Sequence, residues 1–236
     1  MSGAQTRGSC VFCGREFAKG GLSRHLTTCP KRQEVQATAD VSKRQRQTLY
    51  HLQVQDAWGA GYFLHLEMRG KATLKDLDEY LRAIWLECCG HLSAFEIAGV
   101  RYDNEADPWG ENEGPLMDAV KVSSIFQSGL EMSYEYDFGT TSELTIKVVA
   151  AREGKPLTEH PIFLMARNKF EQPPCIVCGQ PATNICTQCL YDHADHSCGL
   201  CDEHAEEHEH EEMVLALVNS PRVGMCGYSG PAEPPY

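Results

Sequence analysis

Two segments of the chain concentrate cysteine and histidine at the spacing of metal ligands. The longer segment runs from Cys175 to His210 and holds six cysteines and five histidines. Its thiols form three Cys-x2-Cys pairs, namely Cys175/Cys178, Cys186/Cys189 and Cys198/Cys201. Six thiols and two imidazoles would supply the eight ligands of two tetrahedral zinc ions. We expect His208 and His210 to complete the set, with His204 in reserve and His193 and His196 as alternatives for a shorter arrangement.

The shorter segment reads Cys-x2-Cys-x11-His-x3-Cys and consists of Cys10, Cys13, His25 and Cys29. Because His25 and Cys29 are four residues apart, a helix would place both on one face. Phe17 and Leu22 would supply the small core of such a unit. A unit of this size folds only with its metal, so zinc binding and folding should be coupled. Together the two segments predict about three zinc ions per chain.

Structural zinc is preferred here over redox or catalytic chemistry. A catalytic zinc ion keeps an open coordination position, whereas complete thiol pairs favour closed sites. Three tandem pairs also exceed what one redox dyad needs. The chain begins without an apolar leader and contains no run of about 18 apolar residues, so we expect neither secretion nor a membrane. Paired thiols in a reducing compartment are more often metal ligands than disulfides, and the cytoplasm is the expected location.

Charge is distributed unevenly along the chain. Residues 1–46 contain nine Lys and Arg against three Asp and Glu, a net charge of +6. Because the whole chain has a net charge of −12, the remaining residues have a net charge of −18. A basic arm on an acidic body permits local phosphate contact but argues against a protein coated by nucleic acid. The candidate phosphate contacts are Lys19, Arg24, Lys31, Arg32, Lys43, Arg44 and Arg46.

The segment between the two cysteine clusters predicts an α+β fold. Leu74, Leu77 and Leu81 recur at helical spacing after Thr73, a candidate N-cap with Asp76 three residues later. Alternating apolar residues before and after this helix predict strands, including a hairpin around Gly139. We therefore expect a mixed or antiparallel sheet with one main helix, flanked by small zinc-binding modules.

Five regions are predicted from these patterns. They are a C2HC-type zinc finger at 1–32, a basic polar linker or solvent-exposed helix at 33–47, an α+β domain at 48–169, a two-zinc module at 170–212, and a C-terminal strand with a Pro/Gly tail at 213–236. Because the linker is polar, few contacts should cross it, and the finger should fold independently of the α+β domain.

Both cysteine segments resemble known zinc families. Cys13-Gly14-Arg15-Glu16-Phe17, followed by Leu22, His25 and Cys29, resembles the C2HC-type finger family, which implies zinc more firmly than it implies a ligand. The order of pairs from Cys175 to His210 resembles the B-box. In that cross-braced fold the first and third pairs share one metal, and the second and fourth share the other.

The middle of the chain resembles the plasmid pRiA ORF-three-like family. The matching features are the helix Leu74–Cys88, the run His91-Leu92-x-x-Phe95, and the hairpin start Tyr134-x-Tyr136-Asp137-Phe138-Gly139. Where the family continues with Asp-Trp-x-His, this chain has Thr140-Thr141-Ser142-Glu143, so a site formed by that trio in relatives would be missing here. The resemblance implies a fold rather than a reaction, and some members are described as passengers of transposons.

Three functions are compatible with these observations. The leading prediction is a non-enzymatic zinc-binding protein that acts as a binding or adaptor module for a protein partner, with no catalytic residues. The first alternative is a nucleic-acid-binding regulator or mobile-element-associated protein that uses the basic residues of segment 1–46. The second is an enzyme with a site in a cleft between the α+β domain and the zinc module, using His91, Asp137 or Glu143. No phosphate-binding loop or nucleophile elbow occurs in the sequence.

Overall fold

The computed structural model describes residues 6–59, 61–106, 114–193 and 197–236, which divide into two compact units. The sheet unit contains the chain up to Leu81, His91–Lys169 and Tyr236. The cysteine-rich unit contains Arg82–Gly90 and Phe170–Pro235. Among the described helices, none has the length and apolar character needed to cross a bilayer.

A nine-stranded antiparallel sheet dominates the described part of the sheet unit, which confirms the predicted α+β class. Its strands are β1 (Arg7–Cys10), β2 (Glu16–Ala18), β3 (Gln47–Asp56), β4 (Phe63–Arg69), β5 (Ser93–Ile97), β6 (Val100–Asp103), β7 (Glu131–Tyr136), β8 (Ser142–Gly154) and β9 (Ile162–Asn168). Their order across the sheet is β2-β1-β9-β4-β3-β8-β7-β5-β6. The long strands β3 and β8 pair at the centre.

The main helix, α3 (Leu74–Leu81), starts with the predicted capping box. The Thr73 amide donates to Asp76 Oδ2 at 2.7 Å, and the Asp76 amide donates to Thr73 Oγ1 at 3.2 Å. The α-helix is shorter than the predicted Leu74–Cys88, because a π-helical turn succeeds it at Arg82–Leu86. There the Glu87 amide donates to the Arg82 carbonyl, five residues earlier, at 2.8 Å.

The amino-terminal finger is part of the main sheet, in contrast to the predicted independence. Its hairpin of β1 and β2 is followed by α1 (Lys19–Thr28), and β1 pairs with β9 so that Gly8 lies opposite Asn168. Leu22 and Leu26 of α1 share one buried cluster with Phe63 of β4. The finger therefore buries its apolar side chains against strands of the central domain, and the two share one core.

The first part of the predicted linker at 33–47 is helical, up to Asp40. Helix α2 spans Pro30–Asp40 and starts directly after Cys29 with proline at its first position. Arg32 of this helix is buried, and its guanidinium contacts Glu67 Oε2 on β4 at 3.2 Å. Arg152 on β8 also pairs with Glu67, at 2.9 Å. Arg32 thus ties α2 to the sheet through Glu67, and Arg152 adds a second positive charge beside the same buried carboxylate.

The cysteine-rich unit is built around a three-stranded sheet of β10 (Asn184–Cys186), β11 (Gly199–Leu200) and β12 (Val214–Ala216), in the order β11-β10-β12. Two short helices, α4 (Thr187–Asp192) and α5 (Asp202–Glu206), come after β10 and β11. No boundary between the two units falls at 212/213, because β12 and the tail up to Pro235 belong to the same unit as the cysteine pairs.

Candidate metal centres

The finger brings its four predicted ligands together. The ligand atoms of Cys10, Cys13, His25 and Cys29 all lie within 4.8 Å of one another, and Cys13 Sγ is 3.3 Å from His25 Nε2. Cys10 ends β1, Cys13 lies in the hairpin turn, His25 is in α1 and Cys29 comes directly after that helix. The Phe17 ring stacks on the His25 ring with 3.9 Å between centroids, which fixes the plane of the imidazole.

Electrostatics in the finger favour a neutral imidazole. Burial lowers the pKa of His25, and the nearby Arg15 guanidinium adds to this effect. A neutral imidazole is the form that binds a metal. Burial raises the pKa of the Cys10 thiol to about 11. At Cys13 burial opposes ionisation, but the Arg15 amide and the thiols of Cys10 and Cys29 donate hydrogen bonds that lower its pKa.

The first site of the cysteine-rich unit contains Cys175, Cys178, Cys201 and His204, again with ligand atoms within 4.8 Å of one another. Cys178 Sγ is 3.8 Å from Cys201 Sγ, and Cys201 Sγ is 3.1 Å from His204 Nδ1. Burial opposes ionisation of Cys175, but amide donors at Cys178, Cys201 and Val177 lower its pKa to about 6.

The second site of this unit contains Cys186, Cys189, His208 and His210. Cys189 Sγ is 3.3 Å from His208 Nε2, and Cys186 Sγ is 3.9 Å from His210 Nδ1. Cys186 caps α4, since its Sγ accepts the Cys189 amide at 3.4 Å. Along the chain, the ligands of the two sites alternate in pairs, so the two sites are interleaved.

Cys198 departs from the predicted ligand set. The structure places His204, rather than Cys198, beside Cys201, because Cys201 caps α5 and His204 lies in the first turn of that helix. Cys198 precedes β11, and its carbonyl accepts the Cys186 amide at 2.9 Å. A Cys-x2-His spacing that opens a helix was the sequence signal for His204. Of the alternatives, His193 Nδ1 contacts the Ser197 carbonyl, and His196 lies outside the described residues.

The turns at Cys10–Arg15 and Cys175–Gln180, here called knuckles, have the same pattern of backbone hydrogen bonds. In the finger the Gly14 amide donates to the Cys10 carbonyl at 2.8 Å, and the Cys10 amide donates to the Arg15 carbonyl at 3.0 Å. At Cys175 the corresponding bonds from Gly179 and to Gln180 measure 2.9 Å and 2.7 Å. Both glycines have positive φ, 68° and 75°, which a side chain would disfavour. The sequence Cys-x2-Cys-Gly therefore forms the same turn at both places in the chain.

The predicted phosphate contacts of segment 1–46 do not form one exposed set. Arg32 is buried on Glu67 and is unavailable to phosphate. Arg44 Nε contacts Glu159 at 2.6 Å, Lys31 contacts Glu34 at 2.8 Å, and Arg46 donates to the Glu153 carbonyl. Lys19 lies over the Phe63 ring, and burial lowers its pKa. Four of the seven are exposed, namely Arg24, Lys31, Lys43 and Arg46.

The residues suggested for an enzyme have structural contacts in the sheet unit. His91 Nε2 is 3.5 Å from Asp137 Oδ2. Asp137 Oδ1 accepts the amides of Gly139 and Thr140 at 3.0 and 3.2 Å, so this carboxylate supports the turn between β7 and β8. Glu143 lies on β8 opposite Glu135 of β7.

Comparison with known proteins adds a family. The profile of a family described as "Plasmid pRiA4b ORF-3-like protein" matches residues 63–216, which include all the predicted ligands of the cysteine-rich unit. No curated protein matches the chain. Among solved structures, a protein of unknown function from Methanosarcina mazei Go1 is 23% identical, with a TM-score of 0.42, over 48% of this chain and 66% of that one. The chain thus spans just under two thirds of that protein's length.

Proposed function

The chain belongs to the plasmid pRiA4b ORF-3-like family, and we propose that it is a non-enzymatic zinc protein that acts as a binding or adaptor module for a protein partner. The observation that carries this proposal is the composition of the three ligand sets. Each has four donors, drawn from cysteine and histidine alone. Sets of this kind saturate a tetrahedral zinc ion and leave no position for a substrate.

The surface chemistry of the cysteine-rich unit supports a protein partner. From Glu171 to Glu212 the chain has ten Asp and Glu and no Lys or Arg. Three thiolates and one imidazole on a zinc dication add a further net negative charge at the first site. A phosphate backbone would be repelled by this unit, whereas a basic protein segment would be attracted.

Exposed apolar side chains on the same unit would provide contact area. Val177 and Ile176 form the tip of the Cys175–Cys178 knuckle and are 62% and 36% exposed. Tyr191 on α4 is 80% exposed. Tyrosine is enriched at protein interfaces because it combines a large apolar ring with a hydrogen-bonding group. We therefore propose a partner segment that combines basic side chains with an apolar anchor.

Site-specific photo-crosslinking tests this proposal. A photo-reactive amino acid at Tyr191 should capture one discrete protein in the native host. The same amino acid at Trp58, which is 78% exposed and lies in the sheet unit, is the matched control and should not capture it. The purified partner should then bind the full chain more weakly after Tyr191→Ala, but not after Trp58→Ala. Its affinity should fall as salt rises, because the attraction is partly electrostatic.

Two results would refute the adaptor proposal. Equal capture of the same protein at Tyr191 and Trp58 would mean that the partner does not bind the cysteine-rich unit specifically. Capture of nucleic acid rather than protein would support the regulator alternative instead.

A further inference from the structure

A fourth group of thiols lies outside the three predicted sites. Cys88 and Cys89 come after the π-helical turn at Arg82–Leu86, and Cys226 lies in the tail within the 3-10 turn Met225–Gly227. Cys89 Sγ is 3.7 Å from Cys88 Sγ and 3.6 Å from Cys226 Sγ. All three belong to the cysteine-rich unit, although more than 130 residues separate Cys89 from Cys226.

The tail is bonded to the segment that carries Cys88. Ser220 Oγ donates to the Trp85 carbonyl at 2.6 Å and accepts the Arg222 amide at 2.9 Å. Arg222 is fully buried, and its Nη2 donates to Cys88 Sγ at 3.4 Å. Arg222 thus places a buried positive charge directly beside the Cys88 sulfur.

The backbone around Cys226 is unusual in a way that suggests function. Cys226 has φ 49° and ψ 34°, a left-handed conformation that non-glycine residues seldom adopt. Glycines with positive φ flank it at Gly224 and Gly227. Such conformations, like π-helical turns, are concentrated at functional sites. Here the π-helical turn directly precedes Cys88 and Cys89, and the left-handed conformation occurs at Cys226.

We propose that Cys88, Cys89 and Cys226 form a fourth metal site, for a thiophilic divalent cation such as zinc. With metal–sulfur bonds of about 2.3 Å, the sulfurs of a tetrahedral site are separated by about 3.8 Å, close to the two distances observed. The positive charge of Arg222 offsets the excess negative charge of three thiolates on a dication. The three thiols would fill three of the four positions of a tetrahedral ion.

This site differs from the other three in its access to solvent. Cys89 and Cys226 are exposed and Cys88 is half-buried, whereas each of the other three sites has two buried cysteines or, at Cys175, one. The fourth ion should therefore exchange faster than the others. This assignment does not depend on the adaptor function.

Metal counting on the full chain tests the proposal. Reduced wild-type protein, saturated with zinc and gel-filtered, should hold one equivalent more than the Cys226→Ser variant. A chromophoric chelator should remove that equivalent in a fast phase that Cys226→Ser lacks. Since Cys226 is exposed, the variant should keep the circular dichroism spectrum of the wild type. Met225→Leu, which alters a sulfur side chain in the same turn but no thiol, should retain both the equivalent and the fast phase.

Equal zinc content in wild type and Cys226→Ser would overturn the assignment. So would a Cys89–Cys226 disulfide in air-exposed protein, found by mass spectrometry, if the reduced protein also lacked the extra equivalent. That combination would identify a redox pair instead of a metal site.

Discussion

Replacing Gly8 with alanine should destabilise the whole sheet unit, because this glycine lies where the finger joins the sheet. A Cβ atom at Gly8 would be 2.5 Å from Phe63 Cζ and 2.6 Å from the Arg167 carbonyl oxygen. The carbonyl belongs to β9 and cannot move without disturbing the pairing with β1. Overpacking of this kind costs about 1–3 kcal/mol. For a unit of this size the corresponding fall in Tm is roughly 2–12 °C.

Gly21→Ala in α1 is the matched control. A Cβ atom at Gly21 would meet nothing within 4 Å outside its own helix, and its φ is not positive. Alanine should therefore raise stability by up to about 1 kcal/mol through helix propensity. Both substitutions add one methyl group to the finger, yet their effects should have opposite sign.

Thermal melts by far-ultraviolet circular dichroism, combined with hydrogen exchange of β9 amides, would measure both variants. Gly8→Ala should lower the melting temperature and speed exchange in β9. If it lowered only the zinc affinity of the finger and left the main transition unchanged, the finger would be an independent module and the argument from β1–β9 pairing would fail.

Three further predictions concern single sites. His204→Ala should remove one zinc equivalent, whereas Cys198→Ser should keep the wild-type zinc content, because the group around Cys201 contains His204 and not Cys198. Glu67→Gln should lower the free energy of unfolding by about 3–5 kcal/mol in urea titrations, since two guanidiniums would lose their buried carboxylate. Burial lowers the pKa of His51 to about 3 and that of His65 to about 4, so both are neutral when folded and protonate on unfolding below about pH 6.5. Stability should therefore be complete above pH 6.5 and fall as the pH is lowered towards 4, and His51→Gln/His65→Gln should flatten this slope.

Controls separate these effects from general damage. Glu131→Gln removes an exposed pair with Lys147 and should change stability by less than about 1 kcal/mol. An equal loss from Glu67→Gln would show that the buried cluster adds nothing. For the histidines, the difference between wild type and variant is decisive, since acid also protonates zinc ligands in both. Zinc lost from Cys198→Ser and retained in His204→Ala would reverse the ligand assignment.

The sequence predicted the features that depend on local pattern. The capping box at Thr73 and Asp76 is contained within four residues, and the alternation in β7 and β8 is visible in the chain itself. The pairing of β1 with β9 was not predictable in this way, because four residues with a glycine at their second position carry no periodicity. Its partner lies about 160 residues away, and long-range pairing leaves no mark on a short strand.

The choice between Cys198 and His204 shows a second limit. All three Cys-x2-Cys pairs look equivalent in sequence. They differ in the secondary structure that follows the first cysteine of each pair. Cys198 directly precedes β11, where Leu200 is buried and which pairs with β10. The Cys198 carbonyl accepts a hydrogen bond from the Cys186 amide of β10, so its backbone is held beside that strand. The proximity of Cys226 to Cys88 and Cys89 is likewise invisible in the sequence, because Cys226 lies more than 130 residues further along the chain.

The two knuckles separate the contribution of local sequence from that of tertiary environment. Cys10 and Cys175 occupy the same position in the same turn, with the same pattern of backbone hydrogen bonds. Nevertheless, burial under the finger core raises the pKa of Cys10 to about 11, whereas amide donors lower that of Cys175 to about 6. A thiol must lose its proton to bind a metal, and Cys10 loses its proton less readily than Cys175. The turn is therefore a local property, while the ease with which it takes up a metal depends on the side chains that pack against it.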